Sequence, residues 1–361
     1  MSEDDSLSIS LCMIVKNEEA VIERCLTSVR PVVDEIIIVD TGSADRTKEI
    51  ISTFTNCIYD FKWIDDFSAA RNFAFSKATK DYILWLDADD IITEENITKF
   101  LTLKQALTHD VDAVSMAYHL TFDPNGNPSF SSRRNRLVKR EKPFKWHGFV
   151  HEYLEVGGNI LHSDIAITHQ KEKIHSDHNL RIYEKALKAG KLFSPRDQYY
   201  YANECKDHGI YEKAIQWYQK FLNGKKGWIE DNIEACGRMA DCYIHLKNWP
   251  NAIKSCIDSF HYDAPRGENC CRLGFSYLQQ NDIQQAISWY KLATVVEIPE
   301  TKSPFINHTC YTWFPNLQLC LCYSKLNDFH NAKKHNDIAA SFVPNDPHVR
   351  HNQEFLSSVS Q

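Results

Sequence analysis

The sequence predicts two domains, an α/β domain with a mainly parallel sheet followed by an all-helical domain. In the first 120 residues, short apolar runs alternate with segments of helical periodicity, which is typical of a parallel sheet covered by helices. From about residue 176 onward, strand-like runs stop and helical patterns recur. A length of 361 residues also exceeds that of one ordinary core. We therefore predict domains at residues 1–172 and 173–361.

The composition and charge of the chain argue against several classes of function. The chain has 41 Lys and Arg against 48 Asp and Glu, a net charge of -7, which argues against a general binder of nucleic acid or of anionic membranes. Apolar runs such as 36–39 are far shorter than a transmembrane segment, and the first residues are acidic rather than signal-like. We expect a cytoplasmic protein without a transmembrane segment. Its twelve cysteines lie mostly in helical apolar patterns and are expected to be reduced core residues.

The elements of the first domain follow from these patterns. Strands are predicted at 7–15, 35–39, 57–61, 82–86, 113–120 and 135–140, and helices at 19–29, from about 44, and at 67–78. Ser43 is expected to cap the helix that starts near Ala44. The run at 82–86 is almost wholly apolar, so we expect a central strand that ends at Asp87.

Polar side chains follow the predicted strands at the edge where parallel sheets bind ligands. Asp87 and Asp89 follow the central strand, and two carboxylates in this spacing suit Mg²⁺ or Mn²⁺ bridging a diphosphate. Asp40 ends the second strand and could bind a nucleoside base or ribose, or else cap the next helix. Arg71, in the first turns of a helix, could hold phosphate oxygens, or else pair with Asp65 or Asp66.

The second half contains a repeated helical pattern. It is clearest around Ala286, where small and aromatic residues fall at tetratricopeptide positions. These positions are Leu273-Gly274, Tyr277, Ala286-Ile287, Tyr290, Ala293 and Pro299. Corresponding alanines at 214, 252, 286 and 332 are separated by 38, 34 and 46 residues, with an insertion at 304–315 in the longest gap. This half resembles a short tetratricopeptide array, and an unrelated helical bundle is the alternative.

Four motifs in order resemble family 2 glycosyltransferases of GT-A fold. They are Leu-Cys-Met-Ile-Val-Lys-Asn-Glu at 11–18, Ile-Val-Asp-Thr-Gly-Ser-Ala-Asp at 38–45, Asp-Phe-Ser-Ala-Ala-Arg-Asn at 66–72, and Leu-Asp-Ala-Asp-Asp at 86–90. With the helical tail, the chain resembles sublancin-type peptide glycosyltransferases and relatives of lipopolysaccharide-core glucosyltransferases. The resemblance implies a Rossmann-like nucleotide-diphospho-sugar transferase domain that inverts the anomeric centre.

The resemblance also implies site residues. Val15 and Asn17 would flank the nucleoside, Asp40 would bind uracil or ribose, Arg71 would meet the diphosphate, Asp87 would contact the ribose or sugar, and Asp89 would hold the metal. In the segment 146–152, Glu152 is the candidate base with His151 beside it. The alternative is that Glu152 pairs with Arg134 or Arg136 as a structural strut. His169 could complete the metal sphere, or be structural.

The resemblance implies transfer of a hexose from a nucleotide-diphosphate sugar, with UDP-hexose as the expected donor and Mg²⁺ or Mn²⁺ as cofactor. The acceptor is expected to be a peptide or protein side chain, with a saccharide or lipid-linked glycan as the rival. The repeats could instead form a homodimer interface. Two other classes stay open: a non-catalytic binding protein with a degenerate transferase domain, and a nucleotidyltransferase. The latter usually has a glycine-rich loop after its first strand, where this chain has Lys16-Asn17-Glu18-Glu19.

Overall fold

The computed structural model describes residues 7–123, 125–170, 177–299 and 305–359. The chain divides into two compact units. The first, here called the sheet unit, comprises residues up to 120 together with 132–176, and the second, the helical unit, comprises 121–131 and 177–361. The boundary predicted between residues 172 and 173 lies outside the described residues.

The sheet unit contains strands β1 to β10 and helices α1 to α4, although the ends of β6 and β7 that meet at 121–131 belong to the helical unit. The strands are β1 Ile9–Val15, β2 Glu35–Asp40, β3 Ile58–Asp60, β4 Tyr82–Trp85, β5 Asp90–Ile91, β6 Ala113–Phe122, β7 Pro128–Lys139, β8 Lys145–His147, β9 Tyr153–Glu155 and β10 Ile160–His169. The helices are α1 Ile22–Val29, α2 Thr47–Ile51, α3 Phe67–Phe75 and α4 Glu94–Ala106.

The main sheet is mixed, with parallel pairing among β1 to β4 and between β6 and β10. Its strand order is β3-β2-β1-β4-β7-β6-β10-β5. Strand β1 pairs in parallel with β2 and β4, and β2 pairs in parallel with β3. Strand β7 is antiparallel to β4, and β5 is antiparallel to β10. The α/β architecture is confirmed, and the carboxyl ends of β1, β2 and β4 meet at one edge, as parallel pairing requires.

Both faces of the sheet are buried. Leu11 and Met13 of β1 belong to one apolar cluster, whereas Cys12 between them belongs to the other. Successive side chains of a strand point to opposite faces, so this division places a core on each side of β1. Near-continuous apolar strands are what a doubly covered sheet requires.

The helix after β2 starts later than its sequence pattern predicts. Helix α2 begins at Thr47, and Ser43 does not cap it. The Oγ atom of Ser43 instead accepts a hydrogen bond from the backbone N–H of Asn17 at 2.9 Å. The prediction of a Ser43 cap was therefore wrong, because the hydroxyl is used to join two neighbouring loops.

Apart from the ends of β6 and β7, the described part of the helical unit consists mainly of helices, with the short strand β11 Phe305–Asn307 and 3₁₀ turns at Ser259–His261 and His308–Tyr311. The helices are α5 His178–Lys188, α6 Pro195–Asp207, α7 Tyr211–Gly224, α8 Ile229–His245, α9 Trp249–Asp258, α10 Gly267–Gln279, α11 Ile283–Ala293, α12 Trp313–Lys325, α13 Phe329–Phe342 and α14 Pro347–Val359. Helices α6/α7, α8/α9, α10/α11 and α12/α13 pack as pairs joined by short turns.

The four predicted alanine positions are all fully buried, one in the second helix of each pair. A left-handed backbone residue lies five positions before each alanine, and these residues are Gly209, Lys247, Asn281 and Asn327. In three turns the next residue caps the second helix through its side chain, namely Asn248, Asp282 and Asp328. The repeated turn chemistry supports the tetratricopeptide-like organisation of this half.

The described helices include none that is long and apolar enough to cross a membrane. No cysteine is in a disulfide, and eleven of the twelve are buried, Cys57 being partly exposed. Burial raises the pKa of several of these thiols, as at Cys242, which reaches about 12. The cysteines therefore serve as core residues, as predicted.

Candidate active site

The carboxyl ends of β1 and β2 place Val15 and Asp40 side by side, because these residues are the last register pair of the two strands. The Asp40 side chain is buried, and its two oxygens accept hydrogen bonds from the backbone N–H of Ser43 at 3.2 and 3.1 Å. Its Oδ2 also accepts from the N–H of Gly42, and Lys48 Nζ lies 3.5 Å from that oxygen. Asp40 thus organises the turn that follows β2.

Asn17 connects the loop after β1 to the loop after β2. Its backbone has a positive φ of 54°, and its side-chain Oδ1 accepts a hydrogen bond from the N–H of Ala44 at 2.8 Å. In the same region the N–H of Glu18 donates to Thr47 Oγ1 at 2.7 Å. The predicted nucleoside residues Val15, Asn17 and Asp40 therefore form one ordered group.

A second group is centred on Arg71. Its Nη2 donates to Asp87 Oδ1 at 2.6 Å, and its Nε donates to Glu152 Oε1 at 2.5 Å. The Arg71 side chain is 10% exposed and Glu152 is 11% exposed, whereas Asp87 keeps 37% of its side-chain surface. One guanidinium thus joins the metal-motif carboxylate to the candidate base, and Asp87 stays open to a ligand.

Two indole rings support this arginine. The guanidinium carbon of Arg71 lies 4.7 Å from the ring centre of Trp146 and 5.2 Å from that of Trp85, within the range of cation–π attraction. Burial alone would raise the pKa of Asp87, but the charges of Arg71 and Arg136 and the hydrogen bond from Arg71 lower it to about 2. Asp87 is therefore an anion at neutral pH.

Arg71 pairs with neither of the acidic residues that precede its helix. Asp66 caps α3 by accepting from the N–H of Ala69 at 2.9 Å, and Asp65 accepts from the indole N–H of Trp63 at 2.9 Å. Glu152 pairs with Arg71. The alternative prediction, in which Glu152 pairs with Arg134 or Arg136 as a structural strut, is therefore not what the structure shows. His151, next to Glu152, has a positive φ of 50°.

A third group could hold a divalent cation. One potential ligand atom each of Asp89, Asp90 and His169 lie within 4.8 Å of one another. His169 Nδ1 lies 3.4 Å from Asp89 Oδ1, because the N–H of Gln170 bonds to the Asp89 carbonyl at 2.9 Å and aligns the end of β10 with the motif. The open carboxylate of Asp89 and the imidazole of His169, with the second carboxylate of Asp90 beside them, suit Mn²⁺ or Mg²⁺, so the residues present fit such an ion.

The charge of this group is consistent with cation binding. Burial alone would lower the pKa of His169, but its hydrogen bonds and charge interactions with Asp89 and Asp90 raise it to about 9. The imidazole is thus held as a cation beside the two carboxylates. A metal ion bound there would take over this charge-balancing role and release the proton.

The sequence did not identify Asp90 as a site residue. Its Oδ1 accepts from the Tyr118 hydroxyl at 2.8 Å, and its Oδ2 accepts from the N–H of Asp87 at 3.0 Å. Arg136 Nη2 lies 3.1 Å from the same Oδ2, and both side chains are fully buried. The only sequence signal was its position directly after Asp89; the contact with Arg136 requires the sheet, in which β7 pairs with β4.

Comparison with known proteins agrees with this geometry. Residues 10–154 match the model of glycosyl transferase family 2. The sheet unit carries a family 2 glycosyl transferase domain. The matched range includes Asp40, Arg71, Asp87, Asp89 and Glu152, and His169 lies just beyond it.

Three curated bacterial proteins match parts of this chain. A TPR repeat-containing protein of Synechococcus elongatus is 50% identical over 147 residues, which are 41% of this chain and 35% of that protein. The SPbeta prophage-derived glycosyltransferase SunS of Bacillus subtilis is 27% identical over 238 residues, 62% of this chain and 55% of that protein. An uncharacterized glycosyltransferase of Rickettsia typhi is 37% identical over 87 residues, 24% of this chain and 30% of that protein. The chain thus spans about a third to a half of the curated relatives' lengths.

Proposed function

We propose that the protein transfers a hexose, with inversion, from a nucleotide-diphosphate sugar to a side chain of a peptide or protein, and that a divalent cation is required. The observation that carries the proposal is the contact of one arginine, Arg71, with Asp87 and Glu152. This contact brings a residue 65 positions further along the chain next to the Asp87-Ala88-Asp89 motif. Asp87, the carboxylate proposed to bind the donor, and Glu152, the candidate base, therefore lie next to the same arginine.

The donor's nucleoside would lie against the group formed by Val15, Asn17 and Asp40. The Asp40 carboxylate is held by its own turn, so it offers a fixed acceptor position at the end of β2. Asp87, an anion with an open side chain, could accept hydrogen bonds from the ribose or sugar hydroxyls. UDP-hexose is the donor that we expect.

Asp89 and His169 would hold the metal. The ion, when bound, would stabilise the negative charge that develops on the leaving diphosphate. The described cluster supports this role because its carboxylate and imidazole atoms already lie within reach of one another.

Glu152 would take the proton of the attacking acceptor group. Proton uptake by Glu152 would break its ion pair with Arg71, so this pair must weaken when the acceptor reacts. A diphosphate offers Arg71 stronger bidentate acceptors than a single carboxylate oxygen. We infer that donor binding draws Arg71 toward the diphosphate and releases Glu152, which would couple the arrival of the donor to the availability of the base.

The helical unit would contribute to acceptor binding. Tetratricopeptide-like arrays present extended surfaces that suit peptides. Incubating the purified chain with Mn²⁺, several sugar nucleotides and candidate peptides, followed by mass spectrometry, would identify donor and acceptor together. A peptide mass increase equal to one hexose is the expected result.

Two variants make this experiment decisive. Asp89→Asn should lose Mn²⁺-dependent release of the nucleoside diphosphate, while Glu155→Gln, on the neighbouring hairpin with a 70% exposed side chain, should retain it. Transfer by Asp89→Asn at the wild-type rate would refute the metal-dependent mechanism. Transfer only to glycans would keep the sugar-transfer proposal and reject the peptide acceptor.

A further inference from the structure

A buried ion pair lies beneath the metal motif. Arg136 of β7 and Asp90 have no exposed side-chain surface, and their Nη2 and Oδ2 atoms are 3.1 Å apart. Arg136 lies between two aromatic rings, with its guanidinium carbon 4.0 Å from the centre of Trp85 and 4.4 Å from that of Tyr118. An uncharged side chain of similar size could fill this space without the cost of burying a charge.

The hydrogen bonds of Arg136 do not satisfy all of its buried donors. Its Nη1 donates to the Trp85 carbonyl at 3.3 Å and its Nη2 faces Asp90 Oδ2 in the ion pair, whereas its Nε is buried without a hydrogen-bond partner among the described residues. Buried donors that make no hydrogen bond are destabilising. Apolar side chains of similar size in place of the pair could be neutral or stabilising, so the charge of Arg136 opposite Asp90 calls for a role beyond packing.

Asp90 and Arg136 hold the motif from both of its ends. The Oδ2 atom of Asp90 accepts from the N–H of Asp87, and the N–H of Asp90 donates to the Asp87 carbonyl at 3.1 Å, which closes the turn around Ala88. Arg136 links this turn to the carbonyl of Trp85, the last residue of β4. The pair thus fixes the path of the chain from the strand through Asp89.

Asp90 is poorly placed to be a ligand itself, although its oxygen lies near those of Asp89 and His169. Both of its carboxylate oxygens are already engaged, Oδ1 by the Tyr118 hydroxyl and Oδ2 by the Asp87 N–H and Arg136. Asp89, with 27% of its side chain exposed, has no comparable set of partners within the turn. Of the two adjacent aspartates, Asp89 is therefore the one open to a cation and Asp90 the one held within the turn.

We propose that Asp90 and Arg136 are positioning residues that hold the Asp87–Asp89 turn in its cation-binding geometry, and that Arg136 acts through Asp90. This inference rests on the metal dependence in the proposed function. Partners that orient metal ligands commonly contribute about 10- to 100-fold to metal affinity. Arg136→Lys and Asp90→Asn should each weaken Mn²⁺ binding by about that factor.

The test is a double-mutant cycle on the full chain, with Mn²⁺ alone as the probe and calorimetric titration as the measurement. If Arg136 acts through Asp90, the double variant Asp90→Asn/Arg136→Lys should bind Mn²⁺ as Asp90→Asn does. Arg272→Lys is the matched control, since Arg272 forms a partly buried ion pair with Asp241 in the helical unit and should leave Mn²⁺ binding unchanged. Near-UV circular dichroism checks that each variant is folded.

Several results would overturn the inference. The first is wild-type Mn²⁺ affinity in folded Arg136→Lys. The second is a double variant whose loss of Mn²⁺ affinity equals the product of the two single losses. The third is a loss of affinity in Asp90→Asn equal to that in Asp89→Asn, while Arg136→Lys binds Mn²⁺ as wild type does. If Arg136→Lys does not fold, Asp90→Asn/Arg136→Gln, which lacks both charges, replaces it. An additional tenfold loss relative to Asp90→Asn would then reject action through Asp90.

The same titration separates this inference from the proposed function. Equal Mn²⁺ binding by wild type and Asp89→Asn would refute the metal site, and the positioning roles with it. A loss confined to Asp89→Asn would leave the metal-dependent transfer intact and reject the positioning roles alone.

Discussion

Arg71 and Glu152, which are 81 positions apart in the sequence, form a hydrogen-bonded ion pair of 2.5 Å between Nε and Oε1. Because the same guanidinium binds Asp87, the candidate base and the carboxylate proposed to bind the donor cannot move independently in this state. The pair accounts for the burial of Glu152 in a segment between two short strands, β8 and β9. It also makes Glu152 the most informative residue to change.

Glu152→Gln should lower the rate of sugar transfer by about 10²- to 10⁴-fold, the usual contribution of a general base. The amide retains an oxygen that can accept from Arg71, so donor affinity should stay within a few-fold of wild type. Single-turnover kinetics with separate titration of the nucleotide would measure both quantities. Glu155→Gln is the control on the same hairpin, and a transfer rate retained by Glu152→Gln would place the base elsewhere.

His169→Ala should weaken Mn²⁺ binding by at least about tenfold, because the imidazole lies in the same cluster as Asp89. The control is His147→Ala, whose ring pairs with Glu155 on the hairpin, and it should bind Mn²⁺ as wild type does. Calorimetric titration after treatment with a chelator would measure the affinities. Wild-type affinity in His169→Ala would make this histidine a structural residue.

Gly274→Ala should destabilise the helical unit by about 1–3 kcal/mol, the usual effect of overpacking. A Cβ atom at Gly274 would lie 2.7–2.8 Å from three ring carbons of the fully buried Tyr290, so α10 would have to move away from α11. Gly224→Ala is the control, because a Cβ there meets no atom within 4 Å. Urea denaturation would compare the two, and equal stability would show that the helix contact can relax.

Local sequence patterns were sufficient to predict that Asp40 and Asp87 lie at or just after the ends of strands, although β4 ends at Trp85, two residues before Asp87. Asp40 and Asp87 follow apolar runs, and a parallel sheet then brings the ends of those runs to one edge. The alanines of the helical unit were predictable for the same reason, since their spacing follows the packing of paired helices. Patterns of this kind depend on neighbours only a few positions away.

Contacts between distant segments could not be predicted in this way. The partners of Arg71 come from the β4 end and from the β8–β9 hairpin, and the sequence offered Asp65 and Asp66 as equally acidic neighbours. Arg136 was considered as a partner of Glu152, but pairing of β7 with β4 places it beside Asp90. The charge of a side chain predicts which kind of group it can bind, but the pairing of the strands determines which partner lies beside it.

The last prediction concerns the pH dependence of stability. Burial of Asp231 in α8, with Glu234 and Glu230 nearby, raises its pKa from 3.8 to about 6, although the charge of Arg196 opposes this shift. The folded state therefore binds this proton more tightly than the unfolded state. The contribution to stability is fully present below about pH 4 and is lost as pH rises through about 6, by about 3 kcal/mol at most.

Asp231→Asn, which cannot ionise, should thus be more stable than wild type at pH 7 and should lose this advantage toward pH 4. Asp328→Asn is the control, because hydrogen bonds from Asn331 lower the pKa of Asp328, so that its contribution is fully present above about pH 4 and its difference from wild type should stay constant from pH 4 to 7. Urea denaturation from pH 4 to 7 would measure both differences. A constant difference between Asp231→Asn and wild type across this range would show that Asp231 titrates equally in the folded and unfolded chains.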